Sequence, residues 1–103
     1  VTEYEDIFDD IYAERGRQVA KFGEQLDVPD GTGSDDDRLV ADAQRVVCDT
    51  RFRRGVGSYA DILREEVAEA CAESDKAALR TELLQVATVA IAWMAKLDRE
   101  LAG

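Results

Sequence analysis

Glu65, Glu66 and Glu69 fall on one stretch of helical periodicity, and Glu82 falls on the next. At about 100° per residue, Tyr59, Ile62, Leu63, Val67 and Ala70 define an apolar arc. Glu66 projects inside that arc, between Ile62 and Leu63, while Glu69 lies on its edge and Glu65 further out. On the following helix Glu82 projects between Val89 and Trp93, on a largely apolar face, with Gln85 beside it one turn along. A carboxylate turned towards a core must be compensated, because burying an isolated charge is costly. Arg64 and Arg80 each lie within two residues of a glutamate without obviously sharing its face. EExxE is also common on solvated helices, so exposed acids and salt bridges are the ordinary alternatives to a ligand set.

The sequence holds no histidine. Ser-His-Asp and Cys-His catalysis and His-ligated zinc are therefore excluded. Oxygen-only ligands suit a hard cation, Mg²⁺, Mn²⁺ or Ca²⁺. Spacing of three puts Glu66 and Glu69 on adjacent turns of one helix face. A glutamate from a facing helix completes a carboxylate site in a bundle core. The bundle-type di-iron site normally adds Glu-x-x-His, which this sequence cannot supply.

Positioning such a site takes at least two helices, and the spacing of apolar residues predicts four. The first runs over about residues 3–21, with Tyr4, Ile7, Phe8, Ile11 and Tyr12 in a stripe and Gly23 as the stop. Residues 27–37 are rich in Pro, Gly, Ser and Asp and read as a loop. The aspartates at its end suit a helix start, and the second helix is predicted over residues 37–53. Arg51, Arg53 and Arg54 sit at its C-terminal end, where cations are favoured. After the Gly55-Val56-Gly57 break, Ser58 is an N-cap with Asp61 as its capping-box partner, opening a third helix over 59–72. Ser74 or Asp75 can cap a fourth helix over 76–101, antiparallel to the third across the short 73–75 connection. That last helix is apolar almost all round, which calls for cover on several sides, and in a chain this short the expected cover is another subunit.

A length of 103 residues is read as one domain, and 46% apolar with 35% charged residues as a globular one. The net charge of −10 repels duplex nucleic acid and anionic membranes, so neither is expected as a partner. Cys48 and Cys71 form no CxxC pattern, so neither a disulfide framework nor a thiolate zinc site is expected. The N-terminal residues carry no basic-apolar-small signal pattern, and Val86 to Ala95 is too short to span a bilayer. A reducing, cytoplasmic location is the expectation.

Taken together, these residues resemble the MazG-like branch of the all-α nucleoside triphosphate pyrophosphohydrolases. That superfamily carries EExxE on one helix and ExxD on the next. Here the first motif is Glu65-Glu66-Val67-Ala68-Glu69 and the second Glu82-Leu83-Leu84-Gln85. The run from Glu14-Arg15-Gly16-Arg17-Gln18 to Lys21-Phe22-Gly23-Glu24-Gln25 is similar to the N-terminal signature of small actinobacterial and phage members. So is Leu79 to Ala87 followed by Trp93. The resemblance spans nearly the whole chain. It implies a four-helix MazG-like bundle in a homodimer or homotetramer, in the bacterial cytoplasm or that of a phage host. The implied activity is Mg²⁺-dependent (Mn²⁺ serving as well) cleavage of a nucleoside triphosphate to monophosphate and pyrophosphate.

Carried over by residue, the resemblance makes Glu66, Glu69 and Glu82 metal ligands. Glu65 would bind a second ion or act on the attacking water. Gln85 departs from the usual aspartate and offers a carbonyl oxygen without charge. Larger relatives continue into a basic segment that contacts phosphates, whereas the sequence here stops at Gly103. Phosphate contacts are therefore expected from Arg15, Arg17, Gln18 and Lys21, a neighbouring subunit's copies included. Phe22 and Trp93 are candidates to stack on a base, against the alternative of plain core. Two other readings stand beside this one: an acidic helical interaction module without catalysis, and the same fold acting on an alarmone or modified nucleotide.

Overall fold

The computed structural model describes residues 3–103. These form four helices and no strand: α1, Glu3–Phe22; α2, Asp35–Arg53; α3, Tyr59–Ala72; and α4, Lys76–Ala102. Every boundary lies within two residues of the one expected from spacing. The largest difference is the start of α2, at Asp35 rather than residue 37. The hydroxyl of Ser34 accepts from the Asp37 N–H at 3.0 Å, and the Asp37 carboxylate accepts from the Ser34 N–H at 3.2 Å. This reciprocal capping box satisfies two orphan amides and sets the helix start more sharply than the dipole preference of the acidic run.

The remaining ends follow the same logic. Gly23 adopts φ +75°, which is open to glycine at no steric cost, and its N–H donates to the Val19 carbonyl at 2.8 Å to close α1. Ser58 and Asp61 cap α3 as expected. Of the two candidates at the start of α4 it is Asp75 whose carboxylate accepts from the Ala78 N–H, at 2.9 Å.

The chain divides into two compact units. One comprises the residues up to Asp30 together with Ile91–Gly103; the other is Gly31–Ala90. In the first, Ile7 is completely buried and Ala95 nearly so. Arg99 near the end of α4 clamps Glu3 at the start of α1 with two contacts, 2.7 and 3.0 Å. The α1 stripe is only partly covered: Ile7 is buried, but Tyr4, Phe8, Ile11 and Tyr12 are exposed.

In the central unit α2 and α3 pack as a helical hairpin. Gly33 N–H donates to the Cys71 carbonyl at 2.9 Å, tying the entry of α2 to the end of α3. At the other end Arg51 of α2 pairs with Asp61 of α3 at 2.8 Å. Gly33 has φ +87°, and a Cβ there would come within 2.8 Å of the Ser74 Cβ, so this crossing is closed to other residues. The buried apolar residues are small: Ala41 and Cys48 from α2, Ala68 and Ala70 from α3. Small side chains let two helices approach closely, which brings the polar residues flanking the seam within reach of each other. No described helix is long and apolar enough to cross a membrane.

Candidate metal centre

Glu66 and Glu69 on α3 and Glu82 on α4 each offer one carboxylate oxygen, and these three oxygens lie within 4.8 Å of one another. All three residues are half-buried. The Oε2 atoms of Glu66 and Glu82 are inaccessible to solvent and have no hydrogen-bond partner. Buried polar atoms are paired in the great majority of cases, and an orphan carries its full desolvation cost. Two residues with orphaned oxygens of the same sign, from two helices, thus share one carboxylate cluster.

The electrostatics agree with that geometry. Burial, then the negative charges of Glu82 and Glu65, push the Glu66 carboxyl above its ordinary 4.5. Burial and the charges of Glu66, Glu65 and Glu82 push Glu69 the same way, opposed by Arg45. Arg45 is the nearest cation, its Nε standing 3.9 Å from Glu69 Oε1. That is contact range for an ion pair but too long for a hydrogen bond. Arg64, considered above as a partner for the glutamates, instead faces Asp61 at 3.9 Å.

A donor set of three carboxylates and no nitrogen or sulfur fits Mg²⁺ or Mn²⁺. A divalent ion would give the two orphan oxygens the counter-charge that protein groups do not supply. Glu66, Glu69 and Glu82 are thus brought together as anticipated. Gln85 is exposed.

Glu65 occupies a different position. It is half-buried, and its negative charge is felt by the Cys48 thiol on α2. Burial first, and the neighbouring Glu65 second, raise the Cys48 thiol to about 12, so it stays protonated and unreactive.

Among the first-helix residues, Arg15 donates to Gln18 at 3.3 Å, to Gln25 at 3.4 Å and to the Glu24 carbonyl at 3.3 Å, folding the chain back after α1. Arg17 is held by Glu14 at 2.6 and 2.9 Å. The Lys21 ammonium sits 5.1 Å from the centroid of the Phe22 ring, in cation–π range. Phe22 is exposed and Trp93 half-buried. A cavity of about 350 Å³ beside this group is lined by Tyr12, Arg15, Gly16, Val19 and Glu24. All these residues belong to the first unit, and the three glutamates to the central one.

A second cavity, of about 400 Å³, lies in the central unit against the glutamates. Its lining joins Glu69, Ala72, Glu73 and Glu82 to Arg38, Ala41, Asp42 and Arg45 of α2. The α2 residues were not anticipated, although 38, 41, 42 and 45 repeat at helical spacing and so share one face. Arg51, expected to serve the helix dipole, is the partner of the buried Asp61 instead. Comparison with protein-family models, with curated proteins and with solved structures finds no match for this chain.

Proposed function

We propose that this chain is a MazG-like, Mg²⁺-dependent nucleotide pyrophosphohydrolase. The observation that carries the reading is the pair of orphaned, buried carboxylate oxygens of Glu66 and Glu82, converging with Glu69. These three glutamates would hold the ion. When bound, Mg²⁺ supplies charge neutralisation for the triphosphate and helps to fix its position. In the reaction a water oxygen bonds to the α-phosphorus and the bond from that phosphorus to the α–β bridging oxygen breaks. Pyrophosphate leaves with the electron pair. Glu65, one residue before the ligand Glu66 on α3, takes the proton of the attacking water. Gln85 adds no charge, so the ligand set is proposed as a three-carboxylate site. Arg15, Arg17, Gln18 and Lys21 are proposed for the outer phosphates and Phe22 and Trp93 for the base, contributed within an oligomer.

The assay is pyrophosphate and monophosphate release from a panel of nucleoside triphosphates. Release that rises with Mg²⁺ and stops on adding a chelator is expected. An absence of release across the panel, or release indifferent to chelator, sinks the reading and favours the interaction-module alternative.

The assembly has its own test. In the central unit Leu83 and Leu84 are 51% and 56% exposed; in the first unit Leu97 is 41% exposed, and Tyr4, Phe8, Ile11 and Tyr12 of α1 are exposed as well. Large apolar side chains left exposed in each unit call for cover by another molecule. A homodimer or homotetramer is expected by light scattering at micromolar concentration, and a monomer there would count against the proposed assembly.

A further inference from the structure

The face of α2 formed by Arg38, Ala41, Asp42 and Arg45 closes the cavity opposite two of the three clustered glutamates. One wall is therefore cationic where the other is anionic. Such a site suits neither a simple anion nor a simple cation, but an anion already complexed to a metal.

Several arginines of this chain are held by short bonds. Arg51, Arg17 and Arg99 each make contacts of 2.8 Å or shorter to a carboxylate. Arg38 donates to the Gly33 carbonyl at 2.7 Å and to Asp35, which anchors the start of α2. Arg45, like Arg15, Arg53 and Arg64, has no short bond, with contacts of 3.3 Å to Asp42 and 3.9 Å to Glu69, but it alone of these four lines the cavity against the glutamates. Its side chain is half-exposed at the cavity wall. A guanidinium carries five N–H donors in a fork that matches two oxygens of a phosphate. In Arg45 that capacity is aimed at the cavity without a short bond to hold it elsewhere. Ala41, one turn before, keeps the wall low enough for a ligand to approach.

We propose that Arg45 is a phosphate-binding residue, its guanidinium taking phosphate oxygens of a metal-complexed di- or triphosphate in the cavity it lines with Glu69 and Glu82. This rests on the metal-centre reading of those glutamates. Asp42 is a positioning residue that holds the Arg45 side chain along the helix face. With an ion on the glutamates, the pull of Glu69 on Arg45 is spent on the ion, and the guanidinium turns to the phosphate.

The test uses Mn²⁺ alone, followed by inorganic pyrophosphate in the presence of Mn²⁺, each by titration calorimetry on the full chain. The variants are Arg45→Gln and Arg45→Lys, with thermal melts as a check of folding. Mn²⁺ affinity is expected to be unchanged or up to a few-fold tighter in Arg45→Gln, because a cation beside a ligand is gone. Pyrophosphate affinity should fall by roughly 10- to 100-fold, as for the loss of a charge-assisted bidentate contact, with partial recovery in Arg45→Lys. If the wild-type chain binds no Mn²⁺, the metal centre and this proposal fail together. If wild type and Arg45→Gln bind Mn²⁺ alike and pyrophosphate equally well, the metal centre stands and the role given to Arg45 is wrong. Loss of Mn²⁺ binding in a folded Arg45→Gln would also overturn it, since the residue would then be supporting the glutamates.

Discussion

Glu66→Gln and Glu82→Gln are each expected to lower Mg²⁺-dependent hydrolysis by roughly two to four orders of magnitude, because the ion supplies most of the charge stabilisation in phosphoryl transfer. The same substitutions should leave the metal-free protein as stable as wild type, or more so. Each of these residues has a buried oxygen with no partner, so no hydrogen bond is lost when the carboxylate becomes an amide. Removing either charge also relieves the repulsion that raises Glu66 and Glu69. Mg²⁺ should raise the melting temperature of wild type by mass action and raise that of the variants much less. A structural salt bridge predicts the reverse. There the amide would strand a buried cation at a cost of roughly 3–5 kcal/mol, and activity would survive. Pyrophosphate release and thermal melts, each with and without Mg²⁺, separate the two. Variants that lose stability without metal and keep their activity would remove Glu66 and Glu82 from the ligand set.

The inward turn of Glu66 and Glu82 was legible because it depends only on helical pitch. Once Ile62, Leu63 and Val67 define a face, the direction of Glu66 follows, and the same holds for Glu82 among Val89 and Trp93. Helix ends were legible for similar reasons, since caps are local: Ser58 and Asp61 announce α3 within four residues. Ser34 and Asp37 announce α2 in the same way, but the neighbouring run of aspartates masks that signal. What spacing does not carry is the register between helices. The approach of Arg45 to Glu69, the pairing of Arg51 with Asp61 and the bond from the Gly33 N–H to the Cys71 carbonyl each join α2 or its entry to α3. All three depend on how far one helix slides along the other. The stripe of α1 shows a second limit. Periodicity identifies Tyr4, Ile7, Phe8, Ile11 and Tyr12 as one face, yet only Ile7 is buried within the chain. A pattern specifies which side wants cover and leaves open which molecule provides it.

Acidification is expected to act on the metal-free chain with two opposite signs. Glu66 and Glu69 have folded values raised above 4.5, chiefly by burial. A raised carboxyl favours the folded state fully below its unfolded value, and that advantage is lost as pH rises through the folded value. Lowering the pH from neutral should therefore stabilise the protein first, and saturating Mg²⁺ should cancel that gain. Asp61 behaves the other way. It is 5% exposed, and its carboxylate accepts from Arg51 at 2.8 Å, from the Ser58 N–H at 3.0 Å and from the Ser58 hydroxyl at 2.9 Å. The Arg51 hydrogen bond, ahead of those from Ser58, outweighs burial and holds its value below the ordinary 3.8. Its contribution is present above the unfolded value and is lost as pH falls through the lowered one. The melting temperature in chelator should thus rise on mild acidification, pass a maximum, and fall steeply in strong acid. Asp61→Ala removes the acceptor of the α3 capping box and strands the Arg51 guanidinium at the α2–α3 seam. Its melting temperature at neutral pH should drop by roughly 5–10 °C, the scale expected for a lost cap and ion pair in a domain this small. The variant should also lose much of the acid limb while keeping the rise above it. Melts from strong acid to neutral pH read both features. A steady decline from neutral pH would contradict the raised glutamates, and an acid limb unchanged in Asp61→Ala would contradict the role given to Asp61.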